Sequence, residues 1–371
     1  MTVDEHEGPL FEIKQTAWGG RACFAKEDIP KGTRVLEIDD YTGSCVSYEF
    51  RKEVCCYCYA YSYGKTMKFK LDKTSVESLI QMSNRKIDIN MKKFQGAGLW
   101  FCSEECCGEF LHLPNIIDLI ESYEILLTSF HSMLKRHNSD DDKEAELNSV
   151  TISKEIIDSQ WDKITKSWIL SIEKIKSSKR LNKLPVISED EYSCCRFVCS
   201  SLYRLSNFSE DSLTMKSFQH LQSNELEKIS KFPILLHFQE SVFNTLYILL
   251  PNNLKCHLST DSFRHILGSE YANSFGLWQE DESLESRECY GYWVLPRASY
   301  FNHSCDPNIT KTRNGRIMDF ILNRDVKVGE ELSINYAGTL NLPLTERREF
   351  MRNGWFFDCG CQKCLKELSD G

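Results

Sequence analysis

Apolar residues at helical spacing dominate the middle of the chain. Between residues 114 and 136, Ile117, Ile120, Leu127 and Leu134 recur at that spacing, with Pro114 near the start, and predict a helix. Residues 153–177 predict a second amphipathic helix carrying Ile157, Trp161, Ile164, Trp168, Ile172 and Ile175, whose tryptophans are expected in the core. CCRFVCSSLYRL (194–205) and HFQESVFNTLYILL (237–250) predict further helices, with Cys194, Cys195 and Cys199 as small buried hydrophobes. The two ends of the chain have another texture. FEIKQT and RACFA predict short strands around a tight turn at Gly19–Gly20, and IPKGTRVLEI a turn and strand. After Asn273, the runs GYWVLPRASYFNHS, IMDFILNRDV and ELSINYA are short and β-like. Strands therefore open the chain, helices fill it and strands return. The pattern predicts an α+β protein whose β-rich halves flank an insertion. NSDDDKEAELNS (138–149) is expected to be an acidic, solvated connector.

A length of 371 residues exceeds what one core serves, so two or three packed units are expected. The net charge of -9 argues against a large nucleic-acid footprint and suits a basic partner such as a lysine-rich tail. No stretch is apolar enough to span a membrane, and MTVDEHEGPLFEIK lacks a signal-peptide core. The expected location is cytoplasmic or nuclear, not secreted. In such a reducing compartment, 17 cysteines suggest metal binding more than disulfides.

Two cysteine sets have ligand spacing. Cys359, Cys361 and Cys364 in FFDCGCQKC can hold three corners of a tetrahedral zinc, and Cys305 is the candidate fourth ligand. Cys55, Cys58, Cys102 and Cys106 form two pairs that can share a second zinc, with Cys56 and Cys107 as spare thiols. The alternative is a set of unliganded cysteines. SYFNHSCDPN (299–308) places His303 two residues before Cys305. Taken alone, it admits a nucleophile with its base, a metal site or a polar loop.

NHSCDPN, GEELSINY (329–336) and CGCQKC, joined by ERREFMRNGWFFDCGC and the N-terminal GGRACFA, resemble the SET- and MYND-domain protein lysine methyltransferases. The likeness is greatest to the shorter fungal members without the C-terminal helical domain. The resemblance implies a β-rich pseudoknotted SET domain, split by a zinc-binding MYND-like insert and a helical insert, with a C-terminal cysteine-rich zinc tail. The corresponding boundaries are 1–50 for the N-terminal SET segment, 51–113 for the MYND-like insert and 114–265 for the helical insert. The core SET segment is then 266–340 and the post-SET tail 341–371.

The resemblance also assigns roles. Asn302 and His303 correspond to the pair that holds S-adenosylmethionine, and Cys305 to a ligand of the terminal zinc, so no covalent intermediate is implied. Gly19, Gly20 and Arg21 correspond to the cofactor loop. Trp355 and Phe357 are expected beside the cofactor, Asn273, Ser274 and Phe275 along the substrate lysine channel, and Tyr336 at the catalytic hydroxyl. The insert matches only in part: no second cysteine pair lies between Tyr59 and Phe101, and Ile116 stands where a last cysteine is expected after His112. One zinc is therefore expected there, and two per chain. Ala22 stands at a glycine position of the cofactor loop, and Trp355 where relatives carry a second channel tyrosine.

The expected function is methyl transfer from S-adenosylmethionine to a lysine of a protein substrate, by a monomer that binds neither nucleic acid nor membrane. The competing expectation is a SET-fold binding scaffold with weak or no catalysis.

Overall fold

The computed structural model describes residues 8–83, 85–135, 151–280 and 287–370. The acidic run 138–149 and the first seven residues lie outside them. The chain forms two compact units. The first gathers the chain up to Tyr41, Ser209–Leu221 and everything from Leu295 onward; the second comprises Thr42–Phe208 and Gln222–Val294.

In the first unit, β1 (Phe11–Gln15) pairs antiparallel with β2 (Arg21–Ala25), as the paired runs around Gly19–Gly20 predict. A second sheet runs β10 (Ile309–Asn314), β11 (Ile317–Leu322), β3 (Arg34–Ile38). Strand β12 (Glu331–Ile334) changes partners halfway. Glu331 and Leu332 pair antiparallel with Phe24 and Cys23 of β2, whereas Ser333 and Ile334 pair parallel with Asn302 and His303 of β9 (Asn302–His303). The side chain of Asn308 serves the backbone at that switch. Its Nδ2 donates to Glu331 O at 2.8 Å, and its Oδ1 accepts from Ser333 N at 2.9 Å. A parallel pair this short, between strands so distant in sequence, has no local signature.

The second unit packs helices on a sheet ordered β4 (Gly43–Val46), β8 (Cys289–Val294), β7 (Ser274–Trp278). Helix α3 (Ile116–Leu134) forms where the apolar period predicts it. The helix expected over 153–177 is interrupted: α4 (Lys154–Lys163) passes into a π-helical turn at Ile164–Trp168, and the helix resumes over Ile169–Glu173. Apolar periodicity cannot show such a turn, because it keeps the same face inward. Trp161 is buried against Phe243 and Phe263, at ring separations of 5.6 and 5.4 Å. Helix α5 (Glu189–Asn207) extends beyond the expected 194–205 and buries Cys194, Cys195 and Cys199 as expected. It lies so close to β4 that a β-carbon on Gly43 would sit 2.1 Å from Ser201 Oγ.

The cysteine-bearing insert is held by α3. Asp118 pairs with Arg85, Glu121 accepts from Asp88 N, and Glu124 accepts from Gln95 N and Ala97 N, each at 2.7 Å. Spacing of three residues puts these carboxylates on one helix face. Ala97 is held at φ 53°, a conformation an alanine rarely adopts. Glu124→Ala would leave one buried and one part-buried backbone donor unpaired, and it should destabilise the protein by about 2 kcal/mol. Glu124→Gln, which keeps one acceptor, should be milder. A melting temperature for Glu124→Ala equal to that of the native protein would show that the ladder does not hold the insert.

Candidate metal centres and cofactor site

Helix α9 (Leu344–Trp355) precedes the cysteine tail of the first unit, and the short α10 (Gln362–Ser369) carries its last cysteine, Cys364. The sulfurs of Cys305, Cys359, Cys361 and Cys364 all lie within 4.8 Å of one another, and all four residues are buried. Zn–S bonds of about 2.3 Å set the sulfurs of a tetrahedral site about 3.8 Å apart. Cys305 Sγ is 3.9 Å from Cys359 Sγ and 3.5 Å from Cys364 Sγ. The donor set thus fits a closed, four-thiolate zinc, with Cys305 as the fourth corner. Arg347, 3% exposed, lies beside it with Nη2 3.8 Å from Cys364 Sγ and 2.6 Å from Glu367 Oε2, while Nη1 donates to Leu342 O at 2.7 Å. This guanidinium adds positive charge next to the thiolates, a role that spacing could not reveal.

In the second unit, Cys55, Cys58, Cys102 and Cys106 form the other cluster. Cys102 Sγ lies 3.6 Å from Cys58 Sγ and 3.5 Å from Cys106 Sγ, again close to a tetrahedral edge. Cys56 stands outside it and accepts from Trp100 N at 3.4 Å. His112 uses Nδ1 on Gly108 O at 2.7 Å. Among the described residues these are the two groups that could hold a metal ion.

His303 connects the tail cluster to Tyr336. Its Nδ1 accepts from Tyr336 N at 3.2 Å, so a neutral ring carries its proton on Nε2, which faces Cys305 Sγ at 3.3 Å. Burial pushes this imidazole down to about 4, which keeps it neutral. Beside it, Asn302 Nδ2 donates to Glu331 Oε1 at 3.3 Å. A β-carbon on Gly19 would come within 2.7 Å of the same Nδ2, whereas one on Gly20, at φ +70°, would meet nothing within 4 Å. The glycine loop therefore closes onto Asn302 on one side and leaves open space on the other. Thr16 fixes the loop: its Oγ1 donates to Gly20 O at 2.8 Å and accepts from Gly19 N at 2.9 Å. The open cradle fits a ligand approaching the backbone.

Aromatic rings enclose Tyr336. His303 lies 5.5 Å from it, Trp355 5.7 Å and Phe357 6.3 Å. Trp18 lies tilted against Phe357 at 5.9 Å, and a β-carbon on Gly360 would strike its ring. Sequence reasoning missed Trp18, Asn308, Glu331 and Arg347, whose partners lie outside their own turn or strand, and Thr16, whose two bonds close within one irregular turn that carries no apolar period. Arg21 places its guanidinium 5.0 Å from the Tyr300 ring centre and donates to His220 O. Ala22 is fully buried within β2, paired with Lys14. Asn273, Ser274 and Phe275 lie in the second unit. There Asn273 Nδ2 donates to Ser269 O at 2.8 Å, and Phe275 pairs with Trp293 across β7 and β8.

The motifs that meet here, NHSCDPN and GEELSINY, fall within a family model described as "SET domain", which matches residues 20–337. The chain belongs to the SET domain family. It is 56% identical over 371 residues to "Potential protein lysine methyltransferase SET6" of Saccharomyces cerevisiae, with 99% of each chain covered. Similarity to "N-lysine methyltransferase SMYD2" of Homo sapiens is partial: 29% identity over 167 residues, covering 44% of this chain and 34% of that one. "SET and MYND domain-containing protein DDB_G0273589" of Dictyostelium discoideum is 28% identical over 171 residues, or 43% of each chain. The resemblance read from the motifs is thus borne out, and its fungal slant agrees with full-length similarity to the yeast protein. A solved SET domain, that "of LSMT bound to Lysine and AdoHcy", aligns with a TM-score of 0.32 and 14% identity over 94% of this chain and 53% of that one, too distant a likeness to carry geometry.

Metal analysis of the purified protein should find two zinc ions per chain. Three ions, or none, would overturn the two-cluster reading. Cys305→Ala should lower the count to one and loosen the tail, because a structural zinc supplies roughly 10 kcal/mol or more of folding free energy. Full zinc retention would remove Cys305 from the ligand set.

Proposed function

We propose that this SET domain protein transfers a methyl group from S-adenosylmethionine to the side-chain amine of a lysine in a protein substrate. The observation that supports this reading most is the convergence of the glycine cradle, Asn302, His303 and Tyr336 beside the tail cluster. Bound S-adenosylmethionine would supply an activated methyl group on a positively charged sulfur. Gly19 and Gly20 let backbone approach the ligand, and Asn302 offers its polar side chain to it. His303 spends both ring nitrogens on Tyr336 N and Cys305, so it orients the site and takes no proton.

A free lysine amine has a pKa of about 10.4, so presenting it neutral at pH 7 costs about 4 to 5 kcal/mol. The aromatic surround of Tyr336 supplies an apolar wall that lowers that cost by disfavouring the ammonium form. Burial raises the Tyr336 phenol above its ordinary value, so the hydroxyl stays protonated at neutral pH. It works as an aligning hydrogen-bond group, not as a base. Alignment of the amine with the methyl–sulfur bond supplies much of the remaining acceleration by removing translational and rotational freedom. The four-thiolate sets suit structural ions with no open coordination position. The acidic chain, at -9, favours a basic segment as substrate.

Asn302→Ala should weaken S-adenosylmethionine binding measured by calorimetry. Tyr336→Phe should keep most of that binding while slowing methylation of a lysine substrate by about 10²-fold, the loss typical of one transition-state hydrogen bond. If Tyr336→Phe works as fast as the native protein, its hydroxyl is structural. If the native protein binds the cofactor and methylates nothing in a broad screen with labelled cofactor, the binding-scaffold reading replaces the enzymatic one.

A further inference from the structure

We infer that Glu331 is a positioning residue: its carboxylate dictates which way the Asn302 amide faces, so that Oδ1 is the atom presented to the cofactor. The inference rests on the proposed cofactor role of Asn302 and adds to it the group that makes that role directional.

The argument starts from what a carboxylate can do. An ionised glutamate only accepts hydrogen bonds, whereas an asparagine amide can turn either its oxygen or its nitrogen toward a neighbour. Glu331 Oε1 lies 3.3 Å from the Asn302 amide, so only the NH2 end can face it. The same nitrogen is confined from the other side by Gly19, where even one added carbon would stand 2.7 Å away. Among the described residues, no donor reaches Asn302 Oδ1, and this oxygen is not sealed from solvent. It is left as an acceptor at the edge of the glycine cradle. An acceptor there suits an ammonium or hydroxyl group of the ligand.

Glu331 has no other evident task. Its neighbour Glu330 pairs with Arg324 and accepts from Lys327 N at 3.2 Å, and so closes the turn before β12. Glu331 is half-buried and faces no arginine or lysine among the described ion pairs. Burial holds its carboxyl above the ordinary value, and the hydrogen bond from the Asn302 amide works against that rise by favouring the ionised form. Its backbone is fixed independently, by β2 on one side and Asn308 on the other. Side-chain changes at 331 can therefore be made without removing the strand.

The test is a reciprocal mutant cycle read by calorimetric affinity for S-adenosylmethionine and S-adenosylhomocysteine. Melting temperature and zinc content serve as folding controls. Glu331→Gln keeps an acceptor but can also flip, so affinity should fall only about twofold, the loss when two orientations become equally populated. Asn302→Asp sets two carboxylates against each other and should weaken binding about tenfold or more. In the double variant, the amide introduced at position 331 can donate to the carboxylate introduced at position 302, and affinity should return to within about threefold of the native value. This recovery is the signature of an orienting contact, because a merely structural Glu331 gives additive losses. If Asn302→Asp and the double variant bind equally weakly, the inference is wrong. Should the double variant not fold, Glu331→Ala decides by NMR of the ligand-free protein. Its Asn302 side-chain amide protons should shift upfield on loss of the carboxylate, and an unchanged pair overturns the inference. A native protein that binds neither ligand would instead overturn the proposed function.

Discussion

Four thiolates drawn into one buried cluster set the terms for the rest of the first unit. Two unit charges at a tetrahedral edge repel by about 4 kcal/mol even at an effective dielectric of 20. Cys305, Cys359, Cys361 and Cys364 cannot all be ionised there without a cation among them, and a divalent ion removes the conflict while fixing the geometry. Three of the ligands come from the tail and one from the loop after β9. An ion held by this set would do more than fold the tail on itself, because it would fasten the tail to the strand that carries Asn302 and His303. The guanidinium of Arg347 supports it from outside, tied in turn to Leu342 O and Glu367.

From that anchor the order propagates through single hydrogen bonds. Cys305 fixes Nε2 of His303, and Nδ1 fixes the amide of Tyr336. One neutral ring thus sets the start of the segment bearing the candidate catalytic hydroxyl. On the other side, Asn308 satisfies Glu331 O and Ser333 N where β12 exchanges β2 for β9. Without that amide, two backbone groups at the exchange would face each other's absence in a buried place. NHSCDPN is dense in function because its members serve different partners: Asn302 the open cradle, His303 the tyrosine segment, Cys305 the tail cluster and Asn308 the strand.

Much of this was legible in the sequence. The C-x-C-x-x-C tail, the spaced pairs in the insert and the alternating runs at both ends depend on local spacing, and local spacing is what a chain displays. Cys305 was legible through chemistry, since three thiolates need a fourth. The parallel pairing of β9 with β12, the reach of Glu331 to Asn302, and Trp18 lying over Gly360 were not, because their partners are far apart in sequence and carry no mutual period. Helix α9 was also missed as a helix, because its charged surface hides a weak apolar stripe around Met351. The π-helical turn at Ile164–Trp168 escaped for the opposite reason: its apolar face is uninterrupted.

The insert shows how a segment can be held without coordination. Its cysteines supply one four-thiolate set, and the segment between the two pairs lacks the thiols for another. That segment must still be held, since its backbone donors at Asp88, Gln95 and Ala97 point inward. Asp118, Glu121 and Glu124 hold it from one face of α3, using charge-assisted hydrogen bonds in place of coordination. The exchange has a physical consequence. Metal coordination depends on deprotonated thiols and an available ion, whereas a carboxylate ladder comes with the helix once it folds. The segment between the cysteine pairs is therefore held through α3, which packs against α5 with Phe130 and Tyr192 stacked at 4.5 Å, whereas the four-cysteine set is suited to hold the rest of the insert through a metal.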